Sequence, residues 1–252
     1  MKGYGEFELD IPSVMREQLP RFFSNLEIET LNLENIGKIP EGAQGAYLLF
    51  LRDELVYVGK TDAQAGFRNR LTRHFNSIQH RHNLLPKEVG FKATRIFVFS
   101  TFDIETMLIE EYSRHYELRP AWNFSGFGSN DPGHNRENQH PAQFDLDYPI
   151  DIDRPIEFLP PGQHTLVDVA KELKSYLPYL FRYEGARGEG HPDMQNLEIV
   201  IPAETVTMRD VLKLILDALP PSWQATVLPS RVILYRENRT YQAQAEILRR
   251  EF

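Results

Sequence analysis

Short apolar runs and helically spaced apolar residues alternate over the first half of the chain. The runs AYLLFL (46–51) and LVYVG (55–59) flank Arg52-Asp53-Glu54, which predicts two strands joined by a hairpin loop. Further on, four apolar residues recur at spacings of four, four and three, namely Phe67, Leu71, Phe75 and Ile78. This period predicts an amphipathic helix within residues 65–82.

Three further segments complete the predicted N-terminal part. TRIFVFS (94–100) predicts a third strand, and the segment 103–118 predicts a helix with Asp103 as its N-cap. Upstream, the segment from Ser13 predicts an amphipathic helix that is interrupted near Pro20. Residues 124–163 are rich in Gly, Pro, Asn and Asp, and we interpret them as a long loop and linker.

The C-terminal part contains an internal repeat. TLVDVAKEL, from Thr165, and TMRDVLKLI, from Thr207, share the pattern T-x-x-D-V-x-K-x-[L/I]. A threonine N-cap followed by an aspartate in the first turn, here Asp168 and Asp210, predicts the start of a helix. Strand-like segments surround both helices, and YQAQAEILRREF predicts a terminal helix. We therefore predict a small α+β domain.

Composition and charge narrow the class of protein. The chain has 252 residues, 41% of them hydrophobic, and no cysteine, which indicates a globular protein without disulfides or thiolate metal sites. We see no secretory signal or membrane span and expect a cytoplasmic protein. The net charge is −8, yet the segment 60–95 carries eight basic and two acidic residues, a local charge of +6. Such a segment is either a solvated basic surface or a surface that faces phosphates.

Two tyrosines in the predicted hairpin are the first candidates for chemistry. If the loop is Arg52-Asp53-Glu54, Leu51 pairs with Leu55 and Leu49 pairs with Tyr57. Because side chains alternate across a strand, Tyr47 then lies on the same face as Tyr57. A two-residue loop would separate them, so a shared face needs the three-residue loop or a bulge.

The residues around this hairpin resemble a known family. Gly45-Ala46-Tyr47 followed by Tyr57-Val58-Gly59 resembles the paired signature of the GIY-YIG nuclease superfamily. That family follows its hairpin with a helix bearing an essential arginine, and Arg70 in RLTRH matches it. His74 lies one helical turn later on the same face. The Arg-x-x-x-His pair resembles the type II restriction endonuclease branch, whose members cut GC-rich palindromes.

The downstream motifs of this branch also occur in order. Glu105 stands before a Leu-Ile pair, as the catalytic glutamate of the family does, and Asn123 follows a proline, as the family's asparagine does. The loop SGFGSNDPG (125–133) closely resembles the loop after that asparagine. The gap from Glu105 to Asn123 is longer than in the family, and Glu111 would restore the usual spacing, but it lacks the Leu-Ile pair. We prefer Glu105.

The resemblance implies a role for each matched residue. It implies a general base at Tyr47, a supporting hydroxyl at Tyr57, a phosphate-binding fork at Arg70, and a bracing amide at Asn123. His74 would hydrogen-bond Tyr47 or the phosphate, and it could shuttle a proton. Glu105 would hold one divalent metal, for which Mg²⁺ suits a lone carboxylate completed by water and phosphate. Three basic residues are predicted DNA contacts: Lys60, Arg68 and Arg73.

Together these features predict an α+β protein with two domains. Residues 1–150 would form a GIY-YIG endonuclease domain, with a three-stranded antiparallel sheet flanked by helices and an N-terminal helical extension. Residues 151–252 would form an accessory domain for dimerisation, DNA or partner contact. The resemblance implies a restriction enzyme that cuts double-stranded DNA and leaves 5′-phosphate and 3′-hydroxyl ends. A palindromic target would call for a homodimer, and we expect a DNA methyltransferase to be encoded nearby.

Two alternatives remain open from the sequence. One is a structure-specific or anti-phage nuclease that is targeted by the C-terminal domain. The other is a DNA-binding module whose active site has decayed.

Overall fold

A computed structural model provides the structure, and it describes residues 3–4, 10–61, 66–97, 103–115, 120–127, 140–185 and 189–250. The chain divides into two compact units. Unit 1 contains residues 1–75 and 86–125, and unit 2 contains residues 76–85 and 126–252. The predicted domain division at residue 150 stays a prediction, and each unit is described by itself below.

Unit 1 is built on one antiparallel sheet with helices packed against it. Its strands are β1 Glu29–Thr30, β2 Gly45–Leu51, β3 Glu54–Lys60 and β4 Val89–Arg95, in the order β1-β4-β2-β3. The helices that begin in this unit are α1 Ile11–Ser24, α2 Leu33–Lys38, α3 Gly66–Ser77, α4 Ile104–His115 and α5 Ala121–Phe124, with a 3-10 turn at Pro86–Glu88.

The sheet differs from the predicted three strands in two ways. The two-residue strand β1 adds a fourth strand by pairing Glu29 with Phe91. The third predicted strand also begins earlier, at Val89, and only Thr94 and Arg95 of the predicted segment belong to it. Ile96 still donates its N–H to the carbonyl of Gln44 (2.9 Å), and residues 98–100 lie outside the described part of the chain.

The central strand β2 is buried on both faces, which explains its continuous apolar run. Ala46, Leu48 and Phe50 pack in one core cluster with residues of α1 and α4. The predicted break of α1 at Pro20 is wrong, because the helix continues to Ser24. Its neighbours Leu19 and Phe23 are buried, and this packing outweighs the hydrogen bond that proline cannot donate.

Unit 2 contains a mixed sheet and two β-α-β repeats. Its elements are α6 Gln143–Asp147, β5 Pro155–Ile156, β6 Gly162–Thr165, α7 Leu166–Tyr176, β7 Leu180–Tyr183, β8 Glu198–Ile201, β9 Val206–Thr207, α8 Met208–Ala218, β10 Gln224–Leu228, β11 Arg231–Tyr235 and β12 Glu246–Leu248, with a 3-10 turn at Pro192–Met194. The sheet order is β12-β10-β11-β7, with β7 parallel to β11, and β5 pairs with β9 and β6 with β8.

The internal repeat of the sequence corresponds to this architecture. Thr165 accepts the N–H of Asp168, and Thr207 forms a capping box with Asp210, so both predicted helix starts are confirmed. The predicted terminal helix is wrong, because Glu246–Leu248 forms the edge strand β12 beside β10.

Two further predictions are corrected by backbone conformation. The helix predicted within 65–82 ends at Ser77, since His80 and Asn83 adopt positive φ angles of 49° and 61°. The predicted long loop 124–163 contains α6, β5 and the start of β6, although residues 128–139 lie outside the described part. Within the described residues, no helix has both the length and the apolar character needed to cross a membrane.

Arg81 is the best-buried charged residue of the segment 76–85. Its Nη1 donates to Asp145 and to the Tyr148 carbonyl (2.9 Å each), and its Nε donates to the Ser77 carbonyl (3.0 Å). The guanidinium also lies 5.2 Å from the centroid of the Phe144 ring. The Arg81 side chain thus links Ser77, the last residue of α3, to Asp145 in α6 and to Tyr148 just after that helix.

We expect Arg81→Ala to lower the free energy of unfolding by about 3–5 kcal/mol, because it leaves a largely buried carboxylate and two carbonyls without their donor. Arg21→Ala is the matched control, since Arg21 pairs with Glu17 on the surface. It should change the free energy by less than about 1 kcal/mol. Urea denaturation measures both, and equal effects would contradict this account.

Candidate active site

The hairpin places the two tyrosines on one face by combining a two-residue turn with a β-bulge, and not by the predicted three-residue loop. Arg52 and Asp53 form a two-residue turn with φ angles of 50° and 66°, so Leu51 pairs with Glu54 and the predicted three-residue loop is wrong. The register then shifts between Leu49 and Phe50, with Val56 as the extra residue. The bulge restores the predicted pair of Leu49 with Tyr57.

Two glycines are required by close approach. Tyr47 pairs with Gly59, and its ring covers the position where a Cβ would lie: that atom would be 2.3 Å from Tyr47 Cζ. A Cβ at Gly45 would lie 2.0 Å from the Thr94 carbonyl oxygen. A side chain at either position would therefore displace a tyrosine ring or the neighbouring strand.

Helix α3 brings a histidine to the buried tyrosine. Tyr47 Oη lies 2.8 Å from His74 Nε2, and the His74 ring is 4.9 Å from the Tyr57 ring, centroid to centroid. Phe67, on the same face of α3, meets the Tyr47 ring edge-on at 6.3 Å. Sequence reasoning placed Phe67 only in the apolar period of the helix, whereas in the structure its ring packs directly against that of Tyr47.

Burial shifts the proton affinities of these three side chains. It raises the pKa of Tyr47, and the neighbouring Tyr57 raises it further, whereas the charge of Arg70 lowers it. Burial also raises the pKa of Tyr57. His74 has its pKa lowered to about 3, first by burial and then by Arg70 and Arg73. At neutral pH both phenols are protonated and His74 is neutral, so its Nε2 can accept a hydrogen bond from the Tyr47 hydroxyl when the imidazole carries its proton on Nδ1.

A carboxylate and a guanidinium act on the same pair of phenols. The charge of Glu105 raises the pKa of both tyrosines, and the charge of Arg70 lowers both. Burial raises the pKa of Glu105, although the Lys60 backbone N–H donates to its carboxylate. Arg70 Nε is buried and has no hydrogen-bond partner among the described residues. The site therefore holds a donor without an acceptor, which a phosphate oxygen would satisfy.

The two candidate glutamates lie in different surroundings. Glu105 stands in the first turn of α4, next to the last residue of β3. Glu111 lines a hollow together with Arg16 and Arg114, on the side where α4 meets α1. Glu111 follows Glu105 by six positions, which is about one and two-thirds helical turns and separates their directions around α4.

The remaining predicted site residues make specific contacts. Asn123 clamps β3, because its Oδ1 accepts from the Val58 N–H (2.7 Å) and its Nδ2 donates to the Val58 carbonyl (2.8 Å). Lys60 Nζ binds Asp103 (2.7 Å), a pair that sequence reasoning missed. Arg68 donates to the carbonyls of Gly37 and Ile39 at the end of α2, and Arg73 is exposed. The DNA-binding roles of Lys60, Arg68 and Arg73 stay predictions.

The residues present fit a metal that is held mainly by water and phosphate. Among the described residues there is no group of three or more His, Cys, Asp or Glu side chains suited to enclose a metal ion. Glu105 is half-buried with a raised pKa, so a nearby cation would offset the cost of ionising it. A single carboxylate with open positions is the kind of site that Mg²⁺ occupies.

Comparison with known families gives a match to a family model that covers part of the chain. Residues 54–173 match the family model described as the Eco29kI GIY-YIG domain, which belongs to a type II restriction endonuclease. The match contains Tyr57, Arg70, His74, Glu105 and Asn123. It begins after Tyr47, which the strand register places beside Tyr57. No curated protein matches the chain.

We expect Gly59→Ala to disrupt the site, because the added methyl overlaps the Tyr47 ring. Overpacking of this kind costs about 1–3 kcal/mol of folding free energy. The control is Gly37→Ala in α2, where a Cβ meets nothing within 4 Å. Thermal melting should show a loss for Gly59→Ala and no loss for Gly37→Ala, and an unchanged melt for Gly59→Ala would refute the packing argument.

His74 should also make stability depend on pH. Its folded pKa, about 3, lies below its ordinary value of 6.5, so the unfolded chain binds this proton first. The fold therefore loses free energy as pH falls from 6.5 toward 3, by up to about 1.4 kcal/mol per pH unit. His74→Gln should lack this contribution, so its stability deficit narrows at acid pH. Urea denaturation across this range checks it, with exposed His140→Gln as the control, and parallel curves for wild type and His74→Gln would contradict it.

Proposed function

We propose a specific activity for this chain, which is a member of the GIY-YIG restriction endonuclease family and hence a DNA endonuclease. It is a divalent-metal-dependent type II enzyme that cuts double-stranded DNA at a specific sequence. The observation that carries the proposal is the hydrogen bond between Tyr47 and neutral His74, beside a pair of opposite charges, Arg70 and Glu105. Phosphodiester hydrolysis needs a proton acceptor for water and positive charge at the phosphoryl oxygens, and these residues supply both.

The phosphate would be held by Arg70. Its buried Nε lacks an acceptor among the described residues, and a guanidinium binds phosphate oxygens through two parallel donors. The phosphate would bring negative charge next to the buried phenols and His74. That charge offsets the effect of Arg70 and Arg73, which lower the proton affinity of His74 in the DNA-free site.

Tyr47 would act as the general base through its histidine partner. A water molecule attacks phosphorus and gives its proton to Tyr47 Oη, while the Tyr47 proton moves to His74 Nε2. The bond to the 3′-oxygen breaks, and this oxygen takes a proton from a solvent water molecule, which leaves 5′-phosphate and 3′-hydroxyl ends. Tyr57, whose ring lies 6.0 Å from the Tyr47 ring and 4.9 Å from the His74 ring, would hydrogen-bond the attacking water or the phosphate.

Glu105 would hold Mg²⁺, which supplies Lewis-acid stabilisation of the phosphoryl charge. The carboxylate is positioned by the N-terminus of α4 and by the Lys60 N–H. Asn123 fixes the strand that presents Tyr57, because its amide binds both backbone groups of Val58. Its role would be to brace the site rather than to react.

A restriction enzyme of this kind would act as a homodimer on a palindromic site, with one active site for each strand. Unit 2 would serve dimerisation or DNA contact, and a methyltransferase would protect the host sites.

The test is a digest of unmethylated plasmid and phage DNA with Mg²⁺. We expect discrete fragments from the wild type and a rate lowered by at least about 100-fold in Glu105→Gln, because a metal ligand is lost. Glu111→Gln is the matched control on the same helix and should cut at nearly the wild-type rate. Loss of cutting in Glu111→Gln alone would overturn the assignment of Glu105.

The same digest separates the alternatives. A continuous smear from the wild type would point to a nuclease without a fixed recognition sequence. DNA binding without any cleavage, with and without metal, would point to a decayed module. Either outcome would reject the proposed type II activity.

A further inference from the structure

Lys60 contacts the start of α4 through both its side-chain ammonium and its backbone N–H. Its Nζ lies 2.7 Å from Asp103 Oδ1, and its backbone N–H donates to the Glu105 carboxylate. Two neighbouring carboxylates of α4 therefore take separate parts of one residue. The Lys60 ammonium binds the Asp103 carboxylate, and the Lys60 backbone N–H binds the Glu105 carboxylate.

Asp103 is itself fixed by the helix that it caps. Its Oδ2 accepts from the Thr106 hydroxyl (2.8 Å), and its carbonyl accepts from the Met107 N–H (3.1 Å). The carboxylate thus has a defined position from which to hold the lysine.

The Lys60–Asp103 pair adds little to the stability of the fold. The two side chains are 45% and 54% exposed, and exposed ion pairs contribute about 0–1 kcal/mol. The main consequence of the pair is that it fixes the position of the Lys60 ammonium beside Asp103. The charge of Lys60 already acts on Glu105, so without the Asp103 carboxylate Glu105 becomes the anionic partner available to the ammonium.

We propose that Asp103 is a positioning residue, which holds the Lys60 ammonium off the Glu105 carboxylate and so keeps this carboxylate available to a divalent cation. The proposal rests on the proposed function only in taking Glu105 as the metal ligand. This role of Asp103 would keep the neighbouring lysine from competing with the metal for Glu105. In the DNA-free protein, the ion-pair partner of Lys60 is then Asp103 and not a phosphate.

The central variant is Asp103→Asn, which removes the charge but keeps an oxygen that can cap α4. Its matched control is Asp10→Asn, because Asp10 caps α1 through the N–H and hydroxyl of Ser13 just as Asp103 caps α4 through Thr106. Circular dichroism should show folded protein in both. A third protein, Lys60→Met/Asp103→Asn, removes the competing ammonium as well.

The measurement is the dissociation constant for Mn²⁺, followed by electron paramagnetic resonance with DNA absent. About 1 M salt shortens the Debye length to about 3 Å, so that a distant loss of charge is screened and only direct contact remains. We expect Asp103→Asn to weaken Mn²⁺ binding by roughly fivefold, the effect of one close charge in a watery environment. Asp10→Asn should not change it, and the double variant should return to the wild-type value.

Each other outcome has a defined meaning. Unchanged Mn²⁺ affinity in Asp103→Asn, or a double variant as weak as the single one, would overturn the role of Asp103. Absence of Mn²⁺ binding by the wild type would overturn it as well. If Glu105→Gln binds Mn²⁺ like the wild type, the metal assignment of the proposed function fails, and the role of Asp103 fails with it. A wild type that binds Mn²⁺ but cuts no DNA would reject the proposed function and leave the Asp103 result to stand on its own.

Discussion

The contact between the Tyr47 ring and the backbone of Gly59 is the constraint on which the rest of the site depends. The ring can lie over the neighbouring strand only because Gly59 has no side chain. This position directs Tyr47 Oη toward α3, where His74 meets it. It also requires the bulge at Val56, since the short turn alone would place the two tyrosines on opposite faces.

The same burial that packs the site also sets its proton affinities. Removing the side chains from water favours the neutral forms of Tyr47, Tyr57, Glu105 and His74 alike. In the DNA-free site, charge is therefore costly at each of these four side chains. A phosphate and a cation would enter as the compensating charges. The burial produced by the fold thus bears directly on the proposed chemistry.

Local signals of the sequence predicted the parts of the fold that local interactions determine. The helix caps at Thr165 and Thr207 and the N-cap at Asp103 follow from hydrogen bonds within one turn, and all three are observed. The strand β12 could not be found this way. Its apolar residues alternate too briefly to exclude a helix, and its hydrogen bonds come from β10, some twenty residues upstream.

The candidate site was partly predictable for the same reason. The order of motifs identified Tyr47, Tyr57, Arg70, His74 and Glu105, because each motif carries its own residue spacing. The Val56 bulge and the Lys60–Asp103 pair depend on contacts between separate elements, which no local pattern shows. The Leu-Ile pair favoured Glu105 over Glu111, but the different surroundings of the two side chains depend on how α4 packs against β3 and α1.

The central claim is that the phenol of Tyr47 takes part in proton transfer during DNA cleavage. The most direct measurement is the single-turnover cleavage rate of Tyr47→Phe, which keeps the ring over Gly59 and removes only the hydroxyl. DNA affinity is measured in parallel. The account predicts a rate lowered by about 10²–10⁴-fold with nearly unchanged affinity. A rate close to that of the wild type would contradict it.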